Sequence, residues 1–175
     1  MKKTYSSSCK GSRCVTALAL ALLAVSPLAL AGKTETFKAV LTGDQEVPPV
    51  VGTDTTGKFK LEFNEGKNEA EVRLEVRDGV SIIGSHLHCG AFGVNGPIAV
   101  SLAHWVNPAH GYDVDGKWIT NATLTDASVI PAAGCGTGLA ALVDSIRAGN
   151  VYVNVHSVDH PGGVIRGQLE LAEDD

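Results

Sequence analysis

Beyond its first 31 residues, this 175-residue chain has no apolar run long enough to span a bilayer, which takes about 20 residues. It also lacks a G-x-S-x-G motif and a plausible Cys–His pair, which excludes the common acyl-transfer nucleophiles. Its glycine-rich stretch, 89–97, precedes no predicted helix and has no Lys-Ser/Thr, so it is not a phosphate-binding loop. No repeat or internal linker divides the chain, and we expect one domain after the N-terminal segment.

The N-terminal segment has the three parts of a secretory signal peptide. A head with four basic residues precedes an apolar run at 15–30, and Ala-Leu-Ala at 29–31 is a small-x-small cleavage site. An uncleaved membrane anchor is the alternative, but the run is short for a span and is interrupted by Ser26 and Pro27. We therefore predict cleavage after Ala31, no transmembrane segment afterwards, and a secreted or periplasmic domain over residues 32–175.

Removal of the signal peptide makes the chain more acidic. All four basic residues of the head leave with it, so ten Lys and Arg remain against nineteen Asp and Glu, a net charge of −9. This balance disfavours nucleic acid and anionic membranes as partners and helps to keep an exported domain soluble. It identifies no protein partner.

Two cysteines, Cys89 and Cys135, remain after residue 31. In an oxidising compartment a disulfide is the expected state of such a pair, and it would contribute at most about 4 kcal/mol of stability. The alternative is that Cys89, next to His88, is a thiolate metal ligand.

Short runs of alternating apolar and polar residues, separated by turn residues, predict an all-β fold. The predicted strands lie at 36–42, 59–63, 70–76, 82–88, 98–102, 118–124, 151–156 and 164–171. One segment, 138–148, instead has its apolar residues at helical spacing and ends at Gly149-Asn150, which predicts a short helix. Together these elements favour an antiparallel, Greek-key-like β-sandwich with one helix.

Three histidines lie in predicted strands. His86 and His88 are two residues apart, so both imidazoles point to one face. His156 ends another strand, where Tyr152 and Asn154 share its face. Neutral imidazoles on rigid strands suit copper or zinc, although strand histidines often only form hydrogen bonds.

The other three histidines lie near turns and loops. His104 and His110 flank the loop at 105–109, and His160 precedes Pro161 in a turn. Such positions are more typical of surface residues, but a fourth protein ligand, if there is one, would come from these three.

Taken together, these segments resemble the CHRD domain, a module named from chordin that also occurs singly in bacterial exported proteins. The matching motifs are LTGDQEVPPV at 41–50, HLHCG at 86–90 followed by Gly93 and Asn-Gly-Pro at 95–97, GNVYVNVH at 149–156, and PGGVIRGQL at 161–169. Two positions depart from the family pattern: Val164 stands where Glu is usual, and Ser157 where Thr is usual. The first departure removes the carboxylate of a Glu–Arg166 pair. In chordin these domains belong to an extracellular antagonist of bone morphogenetic proteins, whose ligand contacts lie mainly in other modules.

The H-x-H and V-x-V-H motifs are also similar to the copper site of Cu/Zn superoxide dismutase, itself a Greek-key sandwich. The similarity implies copper, with His86, His88 and His156 as ligands and Arg166 as a nearby cation. Zinc is less expected, because Zn(II) would want a fourth ligand. The chain also departs from the dismutase in having no recognisable zinc loop. Tyr152, Asn154 and Arg166 are expected to support the site or the turn at 161–163.

Three functions remain open from the sequence. The first is an exported binding module with a histidine copper site, and the second is a dismutase-like copper enzyme. The net charge opposes the enzyme unless Arg166 or Lys117 lies at the mouth of the site to attract superoxide. The third is a metal-free structural or adhesive module.

Overall fold

The computed structural model describes residues 32–104, 109–131 and 134–173, with the backbone alone at His104. The predicted signal peptide, 1–31, lies outside the described residues. The strands are β1 Thr34–Leu41, β2 Thr56–Asn64, β3 Glu69–Arg77, β4 Ile82–Cys89, β5 Ile98–His104, β6 Lys117–Leu124, β7 Val151–Ser157, β8 Ile165–Gln168 and β9 Glu170–Leu171. The helix α1 is Leu139–Arg147, and short 3₁₀ turns lie at Gly43–Gln45 and Asp126–Ser128.

The strands form two antiparallel sheets. Sheet A has five strands in the order β6-β3-β2-β1-β9, and sheet B has four in the order β5-β4-β7-β8. The chain changes sheets after β3, β5, β6 and β8. The prediction of an all-β antiparallel sandwich is confirmed.

Strict alternation along the strands builds the core between the sheets. On β2, Phe59, Leu61 and Phe63 are buried, while the residues between them face solvent. Sheet B contributes the fully buried side chains of Leu87 and Ile165 among others. Each large apolar side chain contributes roughly 1.5–3 kcal/mol when it is buried, and a one-residue slip of register would expose a whole row of them. The hydrophobic pattern therefore determines which face of each strand is available for other uses.

The helix α1 lies at 139–147, one residue inside each end of the predicted range, and packs against β7 and β9. Its buried residues are Leu139, Leu142, Val143 and Ile146. Gly138 at the N-cap has no side chain to offer, and the Asp126 carboxylate accepts the Leu139 N–H at 2.8 Å instead. The helix ends at Arg147, and Gly149 follows the C-cap residue Ala148 with a positive φ of 72°, which suits a glycine.

The C-terminal segment differs from the prediction of one strand at 164–171. It forms two strands in different sheets, since β8 belongs to sheet B and β9 to sheet A. The chain crosses between the sheets at Leu169, which is buried and donates its N–H to the Val151 carbonyl. A Cβ on Gly167 would lie 2.3 Å from the Val40 carbonyl oxygen, so a glycine is needed where the chain passes β1. Alternation alone does not reveal such a change of sheet.

Cys89 and Cys135 form a disulfide with their Cα atoms 5.8 Å apart. It ties the end of β4 to the segment before α1. The predicted pairing is confirmed, and Cys89 is therefore not a thiolate ligand. Among the described residues, no helix is long and apolar enough to cross a membrane.

Candidate metal centre

The three strand histidines lie on one face of sheet B, pointing away from the core. In the register of β4 and β7, His86 is opposite Asn154, His88 is opposite Tyr152, and Gly84 is opposite His156. Directly opposite residues of an antiparallel pair project to the same face. The residues between them along each strand, including Leu87 and Val153, point to the opposite face and are buried in the core.

The three imidazoles come close enough together to share one ion. One nitrogen from each ring lies within 4.8 Å of the other two. The ring centroids are 5.7 Å apart for His86 and His88, 4.8 Å for His86 and His156, and 5.6 Å for His88 and His156. Three nitrogens bound to one metal at about 2.0–2.1 Å are roughly 3.3–3.6 Å apart, so binding needs the longest nitrogen–nitrogen separation to close by about 1.2–1.5 Å. Small side-chain rotations supply a movement of this size.

This face of sheet B is polar and yet largely buried. His88 is 8% exposed and His156 is 7% exposed, whereas His86 is partly open to solvent. Three loops lie over the face: 42–55 between β1 and β2, 90–97 between β4 and β5, and 158–164 between β7 and β8. The loops leave the site accessible from the side of His86.

Carbonyl groups of two of these loops set the tautomers of the buried imidazoles. His88 Nδ1 donates to the Gly96 carbonyl at 2.9 Å, and His156 Nδ1 donates to the Pro161 carbonyl at 3.0 Å. Each Nε2 is then left as an acceptor with a lone pair. Within the described part of the chain, both Nε2 atoms are buried and have no hydrogen-bond partner. Such an atom costs about 1–3 kcal/mol, and a bound metal would satisfy both, so these residues fit a metal ion.

Burial keeps these two imidazoles neutral. It lowers the pKa of both His88 and His156, although the hydrogen bonds to the loop carbonyls act in the opposite direction. The nearby charge of Arg166 further lowers the pKa of His88, and His88 does the same to the pKa of His156. A neutral imidazole is the form that binds metal, so His88 and His156 need no deprotonation near neutral pH.

Tyr152 supports His88 in two ways. Its ring stacks on the His88 ring, with centroids 5.1 Å apart and an interplanar angle of 13°. Its hydroxyl accepts the N–H of Gly96, whose carbonyl holds His88. A Cβ on Gly96 would lie 1.6 Å from the Cys89 carbonyl oxygen, so only glycine allows this approach.

Arg166 lies beneath Tyr152 and joins two of the loops. The guanidinium carbon is 4.7 Å from the centre of the Tyr152 ring, and the residue is 3% exposed. Its Nε donates to the Gln45 carbonyl, and its Nη1 donates to Asn95 Oδ1 at 3.0 Å and to the Val94 carbonyl at 3.4 Å. The planar guanidinium therefore connects loops 42–55 and 90–97 to sheet B.

A buried carboxylate that the sequence analysis missed lies beside this arginine. Glu46 Oε2 is 4.0 Å from Arg166 Nε, and Glu46 is 4% exposed. Burial raises the pKa of Glu46 to about 7, although Arg166 acts to lower it. Val164 replaces the glutamate that is usual at its position in the family pattern, and Glu46 provides a carboxyl group beside Arg166 instead. The sequence feature that could have revealed Glu46 is its position in the LTGDQEVPPV motif, where a charged residue is followed directly by apolar residues.

Asn154 shares the face and holds loop 158–164. Its side-chain amide donates to the Gly162 carbonyl at 3.2 Å. A Cβ on Gly163 would lie 2.5 Å from the Asn154 amide and from Glu46 Oε1, which explains the glycine at this position.

Of the other candidate ligands, the two histidines whose side chains are described do not join the centre. His110 and His160 are exposed and lie outside the group of converging histidines. The backbone of His104 is paired with Gly84, while its side chain lies outside the described part of the structure. Lys117 is on the outer face of sheet A, where it contacts Glu75, and Arg166 is buried under Tyr152. Neither cation lies at the open side of the site.

A family model described as the CHRD domain matches residues 37–169. No curated protein and no solved structure matches the chain. The matched range runs from β1 to the crossing at Leu169, so it contains the three converging histidines, the disulfide and the three loops that cover the site.

Proposed function

This chain belongs to the CHRD-domain family, and we propose that it is an exported binding module that holds one copper ion with His86, His88 and His156. One observation above all supports the proposal. Two buried imidazoles have their Nδ1 atoms committed to backbone carbonyls, and their Nε2 atoms have no hydrogen-bond partner in the described structure. Histidines with a purely structural role normally use both nitrogens when buried.

Copper suits this group of ligands better than zinc. Cu(I) tolerates three imidazole nitrogens, whereas a structural Zn(II) site takes four ligands. Among the described residues, no fourth His, Cys, Asp or Glu joins the group. The side chain of His104 lies outside that description, and a His104→Ala variant would tell a three-ligand site from a four-ligand one. Bound copper would supply one-electron chemistry or serve as cargo.

Export is supported by the N-terminal segment and by the disulfide. Residues 1–31 have the head, apolar run and cleavage pattern of a signal peptide. The bond between Cys89 and Cys135 is typical of proteins that fold outside the cytoplasm.

The experiment is to express the full chain in a bacterial host and purify it from the exported fraction. Intact mass should show cleavage after Ala31. The protein, stripped with a chelator, is then titrated with Cu(I), Cu(II) and Zn(II), and bound metal is measured by elemental analysis after desalting. We expect one copper per chain and weaker zinc binding. Retention of less than about 0.2 copper per chain would favour the metal-free structural or adhesive module.

An activity assay separates carrier from enzyme. A dismutase needs an open coordination position and a cation that steers superoxide to it. The partial exposure of His86 meets the first requirement, while the positions of Arg166 and Lys117 do not meet the second. We therefore expect the copper-loaded protein, assayed with EDTA to inactivate free copper, to turn over superoxide no faster than the metal-free protein. Rapid turnover that depends on His88 would establish the enzyme instead.

A further inference from the structure

The outer face of sheet A, on the opposite side of the sandwich from the histidines, carries a cluster of positive charge. Six of the ten basic residues after position 31 point outward there, and we call them the basic stripe: Lys38, Lys58, Lys60, Arg73, Arg77 and Lys117. Three carboxylates lie against them: Glu75, Glu62 at 2.8 Å from Lys60, and Glu170 opposite Lys38 in the register. Six cations against three carboxylates leave the stripe with a net charge of +3, although the chain after residue 31 carries −9.

The register of the sheet brings like charges directly opposite one another. Lys38 is paired with Lys60, and Lys60 is paired in turn with Arg73. Arg77 is paired with Lys117 at the other side of the stripe. Like charges in opposite positions destabilise a sheet. The three like-charge pairs therefore concentrate positive charge at a cost in sheet stability.

Neighbouring carboxylates neutralise only part of the stripe. Glu75 is shared by three cations, since its carboxylate is 2.7 Å from Arg77, 3.8 Å from Lys117 and 3.9 Å from Arg73. Lys38 and Lys58 form no ion pair within the described parts of the chain. These two ammonium groups remain available to an anionic partner.

The surface also has a suitable shape. A shallow depression of about 380 Å³ lies across β1, β2 and β3. Lys38, Lys58, Lys60 and Arg73 line it, together with Val40 and Glu75. Strands in a sheet are about 4.8 Å apart, so the stripe extends roughly 14 Å from β1 to β6. It is a narrow, positively charged track rather than an enclosed pocket.

We propose that the basic stripe binds a linear polysaccharide that carries sulfate or carboxylate groups. Arginine and lysine bind such groups through charge-assisted hydrogen bonds, and Arg73 and Arg77 offer planar forks. The proposal rests on the proposed export, because exported proteins meet anionic polysaccharides at the cell surface. It does not depend on the metal site, which lies on the other sheet.

Other polyanions fit the face less well. Its outward residues include no aromatic side chain, so it lacks the stacking surface that single-stranded nucleic acids use. The other end of the same face is acidic, with Glu62 opposite Glu71 and Glu69 next to them in the register. A flat anionic membrane would be repelled by these carboxylates, whereas a single narrow chain can follow the stripe alone.

The test measures binding of the processed full-length protein to dextran sulfate and to polygalacturonate, with neutral dextran as the blank. The variant Lys38→Gln/Lys58→Gln/Lys60→Gln neutralises the stripe. The matched control is Lys33→Gln/Lys67→Gln/Arg147→Gln, which makes the same change in net charge at positions away from it. We expect the stripe variant to bind at least about tenfold more weakly and the control to stay within about twofold.

Both variants should remain folded. The stripe substitutions remove like-charge pairs and one surface ion pair, and the control substitutions remove only surface ion pairs, each worth less than about 1 kcal/mol. Binding should also weaken as salt rises from 0.05 to 0.5 M. Equal losses in the two variants, or no binding of either polyanion at low salt, would overturn the proposal. Tighter binding to phosphatidylglycerol vesicles or to single-stranded DNA would also overturn it in favour of that partner. The metal content of the protein is unaffected by any of these outcomes.

Discussion

The imidazole of His88 lies nearly parallel to the phenol ring of Tyr152, with ring centroids 5.1 Å apart and planes 13° apart. The guanidinium of Arg166 covers the other side of the phenol at 4.7 Å. Tyr152 is thus held between a candidate metal ligand and a buried cation. This arrangement suggests that the position of His88 depends on residues that would never contact the metal.

The first prediction separates the ring of Tyr152 from its hydroxyl. Tyr152→Phe keeps the stack on His88 and loses only the hydrogen bond from Gly96, so it should change copper affinity by less than about fivefold. Tyr152→Leu loses the stack, worth about 0.5–1.5 kcal/mol, and should weaken copper binding clearly more. Competition against a copper chelator measures both constants. Equal affinities in the two variants would mean that the stack does not position His88.

The second prediction concerns Arg166. Lysine cannot reproduce its planar contacts with Gln45, Val94 and Asn95, so Arg166→Lys should lower the free energy of unfolding by about 1–3 kcal/mol. Denaturant unfolding measures the change. The control is Arg147→Lys at an exposed ion pair, which should cost less than about 1 kcal/mol. Unchanged stability of the Arg166 variant together with altered copper reactivity would indicate a catalytic residue instead.

Alternation in the sequence was sufficient to predict the β-sandwich and the face that each strand histidine takes, whereas the grouping of His156 with His86 and His88 came from the resemblance to the dismutase motif. His86 and His88 had to share a face because they are two residues apart on a strand, and the valines of β7 assigned His156 to the polar face. The same alternation could not show that this polar face is buried, because the loops that cover it come from three distant places in the chain. Arg166 and Gln45, for example, are 121 residues apart. Glu46 was missed for the same reason, since nothing local pairs it with Arg166.

The third prediction concerns pH and Glu46. The pKa of this carboxyl is raised to about 7 in the folded protein, above its ordinary value of 4.5. The folded protein holds this proton more tightly than the unfolded chain does, so protonation of Glu46 increases the free energy of unfolding. This contribution is fully present below pH 4.5 and is lost as pH rises through 7. Gln cannot ionise, so the melting temperature of Glu46→Gln relative to the parent should increase between pH 5 and pH 8. The difference in unfolding free energy should grow by on the order of 2 kcal/mol.

Metal-free protein should be used for this comparison. Because the pKa values of His88 and His156 are lowered, the free energy of unfolding falls as pH drops below 6.5. This fall is the same in the parent and in Glu46→Gln, so it does not affect the difference between them. Glu65→Gln, at an exposed turn, serves as the control. A difference between Glu46→Gln and the parent that stays flat over this range would show that Glu46 is ionised throughout.

The fourth prediction tests the disulfide. The proposed cleavage after Ala31 would remove Cys9 and Cys14, and the processed protein should then show no reactive thiol when it is unfolded without reductant. Reduction should expose two thiols and remove at most about 4 kcal/mol of stability, because the Cys89–Cys135 bond constrains the unfolded chain. Two thiols per processed chain before reduction would contradict the bond.

The copper-induced rise in melting temperature of single histidine variants tests the central claim most directly. A metal that binds only the folded state raises the melting temperature by mass action, and each variant is compared with its own metal-free form. His86→Ala, His88→Ala and His156→Ala should each lose most of the rise, because each removes one of three converging ligands. His110→Ala and His160→Ala, at exposed positions, should keep it. Retention of the full rise in the three strand variants would contradict the account and leave the metal-free module as the better description.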